Sequence, residues 1–152
     1  MLALKNIIRL SGLAVLLAIP INSTLADQEV VYPEKMSKAE INGEIFSRTE
    51  MVKAGGPDGP TLDVVSMLSK DNKFVAGMYQ AGPSRSEINE PYGVDEFMYF
   101  LEGSVTLTSS DGSVMTINAG EAATIPSEWT GIWETEGYTK IYVIHSPTGE
   151  ID

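Results

Sequence analysis

Apolar and polar residues alternate in short stretches between positions 41 and 145, and no helical period of apolar residues lasts ten positions there. Alternation with a period of two is typical of strands that bury one face. The pattern predicts nine strands, at residues 41–48, 61–69, 74–81, 96–101, 104–108, 113–117, 122–125, 130–135 and 140–145. Many short strands at such close spacing indicate an all-β sandwich or barrel.

Glycine-containing segments separate the predicted strands. The Gly- and Pro-rich residues 55–60 are expected to form a loop, because these residue types adopt turn dihedrals that strands do not use. The Ser-Asp-Gly at 110–112 joins two alternating stretches as a hairpin turn would. Gly103 and Gly137 are likewise expected in turns, since glycine tolerates positive φ.

The first 26 residues have the composition of a signal peptide. Lys5 and Arg9 accompany an apolar stretch at 10–19, and Thr-Leu-Ala at 24–26 supplies the small residues of a cleavage site. The alternative is an uncleaved membrane anchor, but a span needs roughly 20 apolar residues, more than this stretch holds. We therefore expect a periplasmic or secreted protein with no membrane contact after cleavage.

Three parts of the chain follow from these patterns: a signal peptide at 1–26, an N-terminal lead-in at 27–40 and the barrel domain at 41–152. Within the lead-in, Ser37 and Glu40 have the spacing of a capping box, which predicts one helical turn.

Charge and the absence of cysteine exclude several kinds of function. The chain has 21 acidic and 10 basic residues, a formal net charge of −11, which argues against nucleic acid or an anionic membrane as partner. Without a cysteine, thiol catalysis, disulfides and thiolate-bound metals are excluded. A small molecule remains the expected partner.

Two glycine motifs carry a resemblance to a known family. Glu96 is followed after six residues by Gly103, and Gly120 is followed after five residues by Pro126. These spacings resemble the two motifs of cupins, and residues 74–145 are similar to the small cupins related to ureidoglycine aminohydrolase domains. The resemblance implies a single cupin barrel, that is a double-stranded β-helix or jelly roll. It also implies an association of two chains in a homodimer.

In metal-binding cupins, the resemblance would place two His and a Glu in the first motif and another His in the second. Those positions hold Glu90, Tyr92, Glu96 and Gly131, and the single histidine of the chain, His145, lies outside both motifs. Redox metals favour imidazole or thiolate ligands. We therefore expect no cofactor, with a divalent metal held by Glu90, Tyr92 and Glu96 as the alternative.

Strand alternation predicts which side chains enter the barrel. Gly131, Trp133 and Thr135 share one face, and Trp133 is expected to fill the volume that Gly131 leaves free. Trp129 has the same parity and is either a cap at the barrel mouth or a platform for a ligand. The residues predicted to contact a ligand are Glu96, Met98, Trp129, Trp133 and Tyr92.

Lys140 is unusual because it lies in a strand beside apolar residues. It is either a solvated residue or half of an ion pair, for which Glu134 and Glu96 are the two candidate partners. The candidate catalytic residues are Glu96, Glu90 and Lys140, since paired carboxylates and a lysine suit acid–base chemistry.

Three hypotheses for function follow from these residues. The first is a cupin that binds a small organic ligand without a His-ligated metal. The second is an enzyme similar to ureidoglycine aminohydrolase, acting on a small amide or ureido compound. The third is a structural or partner-binding exported domain with a closed barrel mouth.

Overall fold

The computed structural model describes residues 30–56 and 59–150, and the compact unit Pro33–Asp152 contains all the elements discussed below. The predicted signal peptide lies outside the described residues. Eight antiparallel strands form the domain, at β1 Val52–Gly56, β2 Gly59–Leu68, β3 Phe74–Ala81, β4 Ser84–Ile88, β5 Asp95–Ser109, β6 Val114–Asn118, β7 Ala122–Ile125 and β8 Gly131–His145.

The strand order is β1-β2-β3-β8-β5-β6, with β4 also paired to β8 and β7 to β5. The all-β class and the barrel architecture are therefore confirmed. Within the described part of the chain, no helix is long and apolar enough to cross a membrane.

The strand predicted at 41–48 is wrong. This segment continues a short helix α1, Lys38–Ile41, into a 3₁₀ helix at Glu44–Ser47. The capping box is confirmed: the Glu40 amide donates to the Ser37 side chain, and the Glu40 carboxylate accepts from the Ser37 amide. Ile41 and Ile45 are four residues apart, so their spacing fits one face of a helix as well as it fits a strand.

Two edge strands were not predicted from the sequence. β1 ends in two glycines, and β4 reads Ser-Arg-Ser-Glu-Ile, so neither carries a strong apolar alternation. Four residues of the loop expected at 55–60 lie instead in paired strands, 55–56 at the end of β1 and 59–60 at the start of β2, and Gly56 pairs with Gly59. Strands at the edge of a sheet pair on one side and need not carry alternating apolar residues.

Gly103 and Gly137 do not separate strands, which corrects both turn predictions. β5 and β8 each run through 15 residues, and the register between them shifts near these glycines. Such shifts are β-bulges, which send the next side chains to the opposite parity. Gly103 has a φ of +69°, and a Cβ built there would lie 1.9 Å from the Gly137 carbonyl oxygen.

Two apolar clusters stabilise the domain. The inner cluster lies inside the barrel and consists of Met98, Phe100, Val105, Leu107, Ile117, Ile125, Trp133 and Tyr138. The outer cluster consists of Ile45, Val64 and Met78, with partly buried neighbours that include Ile41 and Phe46. The helical segment after Ser37 therefore covers the outer face of the sheet, and the barrel interior remains for the site.

Candidate functional site

A cavity of about 730 Å³ lies in the barrel, a volume in the usual range of small-molecule sites. Val65 and Leu68, 45% and 54% exposed, lie among its lining residues. The aromatic and ionisable residues of its wall are Asp63, Tyr79, Tyr92, Glu96, Trp133, Tyr138, Lys140 and Tyr142.

Glu96, Lys140 and Tyr92 form a chain of hydrogen bonds on the cavity wall. Lys140 Nζ lies 2.6 Å from Glu96 Oε1, and the Tyr92 hydroxyl donates to Glu96 Oε2 over 2.6 Å. The side chains of Glu96 and Lys140 are 1% and 8% exposed. A pair so deeply buried is held only when each charge has hydrogen-bonding partners, and here both carboxylate oxygens have one.

The bulge at Gly137 decides that Lys140 faces inward. Trp133 and Thr135 are buried at odd positions before the bulge, whereas Tyr138 and Lys140 are buried at even positions after it. Because the parity changes, Lys140 and Trp133 line the same cavity. Of the two partners considered for Lys140, Glu96 is the one that the structure brings to it.

Aromatic rings surround the Lys140 ammonium. Its Nζ lies 5.0 Å from the centre of the Trp133 ring, 5.7 Å from that of Tyr138 and 5.8 Å from that of Tyr79. Met98 Sδ is a further neighbour at 3.6 Å. Cations are attracted to aromatic faces, so these rings replace part of the hydration that Lys140 loses on burial.

Burial changes the acidity of the cavity tyrosines. Burial and the neighbouring Glu96 raise the pKa of Tyr92 far above its usual value, so its hydroxyl stays protonated and donates to Glu96. Burial also raises the pKa of Tyr138. Tyr92 and Tyr138 therefore carry neutral hydroxyl groups at physiological pH.

Asp63 and Tyr142 form a second polar pair in the cavity. The Tyr142 hydroxyl donates to Asp63 Oδ1 over 2.9 Å. Burial is the main cause that raises the pKa of Asp63, and burial together with Asp63 raises that of Tyr142. Sequence reasoning missed Asp63, since it lies in a strand with no recognisable motif; its parity with Thr61 and Val65, which also line the cavity, was the only available signal.

The residues predicted as site residues fall into three groups. Tyr92, Glu96, Trp133 and Lys140 line the cavity together. Met98 is fully buried beside Lys140, but it is not a lining residue. Glu90 is exposed and likewise does not line the cavity, so it does not join Glu96 as a second carboxylate.

Trp133 is buried as expected, but it does not fill the volume beside Gly131. Trp133 is buried in the inner cluster, as its parity predicted. The volume beside Gly131, however, is taken by the Thr108 backbone and Trp129, because a Cβ built on Gly131 would lie 2.2 Å from the Thr108 carbonyl oxygen and 2.8 Å from Trp129 Cζ2. The Trp129 indole donates to Ser109 Oγ at 3.1 Å and is not a lining residue, so it packs against the barrel wall outside the cavity.

Cupins can hold a metal, but the residues at the corresponding positions do not fit one here. The cation beside Glu96 is the Lys140 ammonium, Tyr92 donates its proton to the same carboxylate, and Glu90 lies on the surface. Over residues 30–56 and 59–150, no three His, Cys, Asp or Glu side chains cluster as a metal site. Lysine and a protonated tyrosine do not offer the anionic or imidazole donors that a divalent metal needs.

Comparison with known proteins supports the fold. Residues 68–142 match the family model described as EutQ-like cupin domain. No curated protein sequence matches this chain.

Among solved structures, EutQ from Clostridium difficile has a TM-score of 0.52 at 17% identity, over 64% of this chain and 77% of that one. A protein of the DUF861 family from Pseudomonas syringae pv. tomato has a TM-score of 0.55 at 18% identity, over 62% of this chain and 43% of that one. Ectoine synthase from P. lautus has a TM-score of 0.54 at 15% identity, over 70% of this chain and 76% of that one. At such identities the likeness concerns the fold alone: the described barrel has the cupin fold, and its residues 68–142 are similar to the EutQ-like cupin domain.

Proposed function

We propose that this cupin binds a small organic ligand in its barrel, without a His-ligated metal. The observation that carries the proposal is the cavity of about 730 Å³, whose wall combines aromatic rings with the buried Lys140–Glu96–Tyr92 chain. Pockets that are mostly apolar and contain a few convergent polar groups are the usual form of small-molecule sites. The third hypothesis, a domain with a closed mouth, has less support because exposed Val65 and Leu68 line this cavity.

A ligand screen by thermal shift tests the proposal, since a ligand of the native state raises Tm by mass action. The screen is run on the wild type and on Ser86→Trp, in which an indole enters the cavity from an exposed position on β4. Arg85→Trp is the matched control, because Arg85 is exposed on the same strand but does not line the cavity.

We expect ligands that stabilise the wild type and Arg85→Trp to lose their effect in Ser86→Trp. A broad library that shifts none of the three proteins would overturn the proposal. Ligands that shift all three equally would place binding outside the barrel and would overturn it as well.

A second candidate is an enzyme of the ureidoglycine aminohydrolase type, acting on a small amide or ureido compound. The Lys140–Glu96–Tyr92 chain favours it, because connected acid and base groups are able to move a proton beside a substrate. Ammonia release from a panel of amides and ureides tests it. Activity that Glu96→Gln abolishes and Glu136→Gln retains would move this candidate to first place; Glu136 is exposed and lies outside the cavity lining.

We also propose that the protein is exported to the periplasm or secreted. The support is the basic start, the apolar stretch and the small residues at 24–26. Protein purified from the native host is expected to begin at or near Asp27. A chain that begins at Met1 in the cytoplasm would contradict export and leave the ligand proposal unaffected.

A further inference from the structure

Asp63 is a charged cavity residue whose role the Lys140–Glu96–Tyr92 chain does not explain. It lies on β2, accepts a hydrogen bond from Tyr142 at 2.9 Å and faces the cavity. Among the described residues, no Lys, Arg or His forms an ion pair with it. A partly buried carboxylate without a cationic partner is costly unless something else compensates its charge.

The charges of the cavity wall do not balance. Among the described residues, its ionisable Asp, Glu, Lys, Arg and His side chains are Asp63, Glu96 and Lys140, and the Lys140 ammonium already pairs with Glu96. An anionic ligand would therefore meet two carboxylates and one paired ammonium. A ligand with one positive charge would neutralise Asp63 and leave the existing pair intact.

The aromatic residues of the cavity wall also favour a positively charged ligand. Tyr79, Tyr138 and Trp133 already hold the Lys140 ammonium at 5.0–5.8 Å from their ring centres, which is the distance range of cation–π contacts. Tyr79 and Tyr142 lie on neighbouring strands, with Tyr79 paired to Lys140 in the register of β3 and β8. An organic cation in this cavity would contact ring faces with its alkyl or aryl part and a carboxylate with its charged part.

We propose that the Asp63–Tyr142 pair is the recognition site for an organic ammonium ion, and that the ligand of this barrel is a monovalent amine with an apolar body. The inference rests on the proposed function, because it names the class of ligand that the same cavity takes. Tyr142 is a positioning residue: its hydroxyl orients the Asp63 carboxylate toward the cavity. Burial raises the pKa of Asp63, although the Tyr142 hydroxyl and the more distant Lys140 charge act in the opposite direction, and a bound cation would further stabilise its charged form.

Three probes of similar size and different charge test the inference by calorimetry at neutral pH: benzylammonium, benzyl alcohol and benzoate. We expect benzylammonium to bind at least roughly tenfold more tightly than benzyl alcohol, with benzoate weakest, because the ammonium adds a charge-assisted hydrogen bond to Asp63. In Asp63→Asn the ammonium is expected to lose this advantage, while benzyl alcohol binds as before. Asn keeps an oxygen that accepts from Tyr142, so the fold is preserved.

Glu136→Gln is the matched control, because it removes the same charge from an exposed position outside the cavity. Tyr142→Phe is expected to weaken ammonium binding less than Asp63→Asn does, and to leave benzyl alcohol unaffected. Equal affinity of the ammonium for the wild type and Asp63→Asn, or preference for benzoate, would overturn the inference while a ligand site in the barrel remained. If none of the three probes binds, the inference is wrong, and the library screen with Ser86→Trp decides separately on the proposed function.

Discussion

The inner and outer clusters lie on opposite faces of the same sheet and differ in what they bury. The outer cluster around Ile45, Val64 and Met78 is apolar and is covered by the helical segment that starts after Ser37. The barrel interior buries the Glu96–Lys140 pair beside its apolar cluster and leaves a cavity next to it. The outer cluster therefore contains apolar residues alone, whereas the barrel interior holds an ion pair and a cavity beside its apolar cluster.

The difference shows where function is to be sought in this domain. Buried charges destabilise unless they are fully paired, and a well-packed apolar pair would serve stability as well or better. The outer face of the sheet buries an apolar cluster of this kind. The charged pair and the cavity on the inner face agree with the proposed ligand site, and substitutions on the two faces are expected to separate stability from binding.

The largest effect is expected from Gly103→Val, which breaks the contact between the two bulges. A Cβ at Gly103 would lie 1.9 Å from the Gly137 carbonyl oxygen, so the β5–β8 pairing would have to open at the middle of the barrel. We expect a loss of about 4 kcal/mol or more, or no folded protein. Gly112→Val is the matched control: its φ is +86° but nothing lies within 4 Å, so only the strain of about 1–2 kcal/mol remains. Equal losses in urea unfolding would show that the bulge contact is unimportant.

Trp133→Ala and Ile45→Ala compare the two clusters directly. Trp133 is 8% exposed and lines the cavity, so its removal is expected to cost about 3–5 kcal/mol and to weaken ligand binding. Ile45 is fully buried in the outer cluster, and its truncation is expected to cost about 2–5 kcal/mol with binding unchanged. Urea unfolding gives the stabilities and calorimetry gives the affinities. Loss of binding in a folded Ile45→Ala protein would mean that the two faces are coupled.

Lys140→Met tests the buried pair. It leaves the Glu96 carboxylate without its cation, at an expected cost of about 3 kcal/mol, the lower end for such a change because Tyr92 still donates to Glu96. The double variant Lys140→Met with Glu96→Gln is expected to recover most of this stability, because no charge remains buried. A double variant no more stable than the single one would show that the pair does not behave as a unit.

Sequence periodicity predicted the barrel well within each strand segment and failed where a bulge intervened. Trp133 and Met98 were placed inside correctly, because the alternation is unbroken on either side of the bulges. Lys140 points inward and pairs with Glu96 instead of Glu134 because the side-chain parity changes near Gly137. No local sequence pattern indicates this change. A glycine in a strand sequence is compatible with either a turn or a bulge, and only the pairing partner decides between them.

The remaining errors in the predicted site concern residues whose contacts depend on the order of the strands in the sheet. Asp63 and Tyr142 are 79 residues apart in the chain, and their hydrogen bond depends on the order of β2, β3 and β8 in the sheet. Glu90 was carried into the candidate set by its motif position, but the structure leaves it exposed outside the cavity lining. The motif spacing therefore identified the fold and one wall of the site. It did not predict the residues of β2, such as Asp63, on the opposite wall.

A smaller effect is expected from Ser37→Ala, which affects only the cover of the outer cluster. The Ser37 hydroxyl accepts from the Glu40 amide at 3.2 Å as the first half of the capping box. Its loss is expected to cost about 1 kcal/mol, as for other helix caps. Ligand binding is expected to be unchanged, and calorimetry checks this. A cost similar to that of Ile45→Ala would mean that the whole helical segment detaches when its cap is removed.

The smallest effect, and the one with a distinct pH dependence, is expected from Glu40→Gln. The Ser37 amide and the Arg48 guanidinium donate to the Glu40 carboxylate and lower its pKa from 4.5 to about 2. A carboxylate whose pKa is lower in the folded state stabilises fully above pH 4.5, and this contribution is lost as the pH falls toward 2. Gln keeps the capping acceptor but not the charge. Thermal unfolding is therefore expected to show a lower Tm than the wild type at pH 7 and equal Tm values near pH 2, with exposed Glu44→Gln close to the wild type at pH 7. A difference from the wild type that stays constant from pH 7 to pH 2 would contradict the ion pair with Arg48 as its cause.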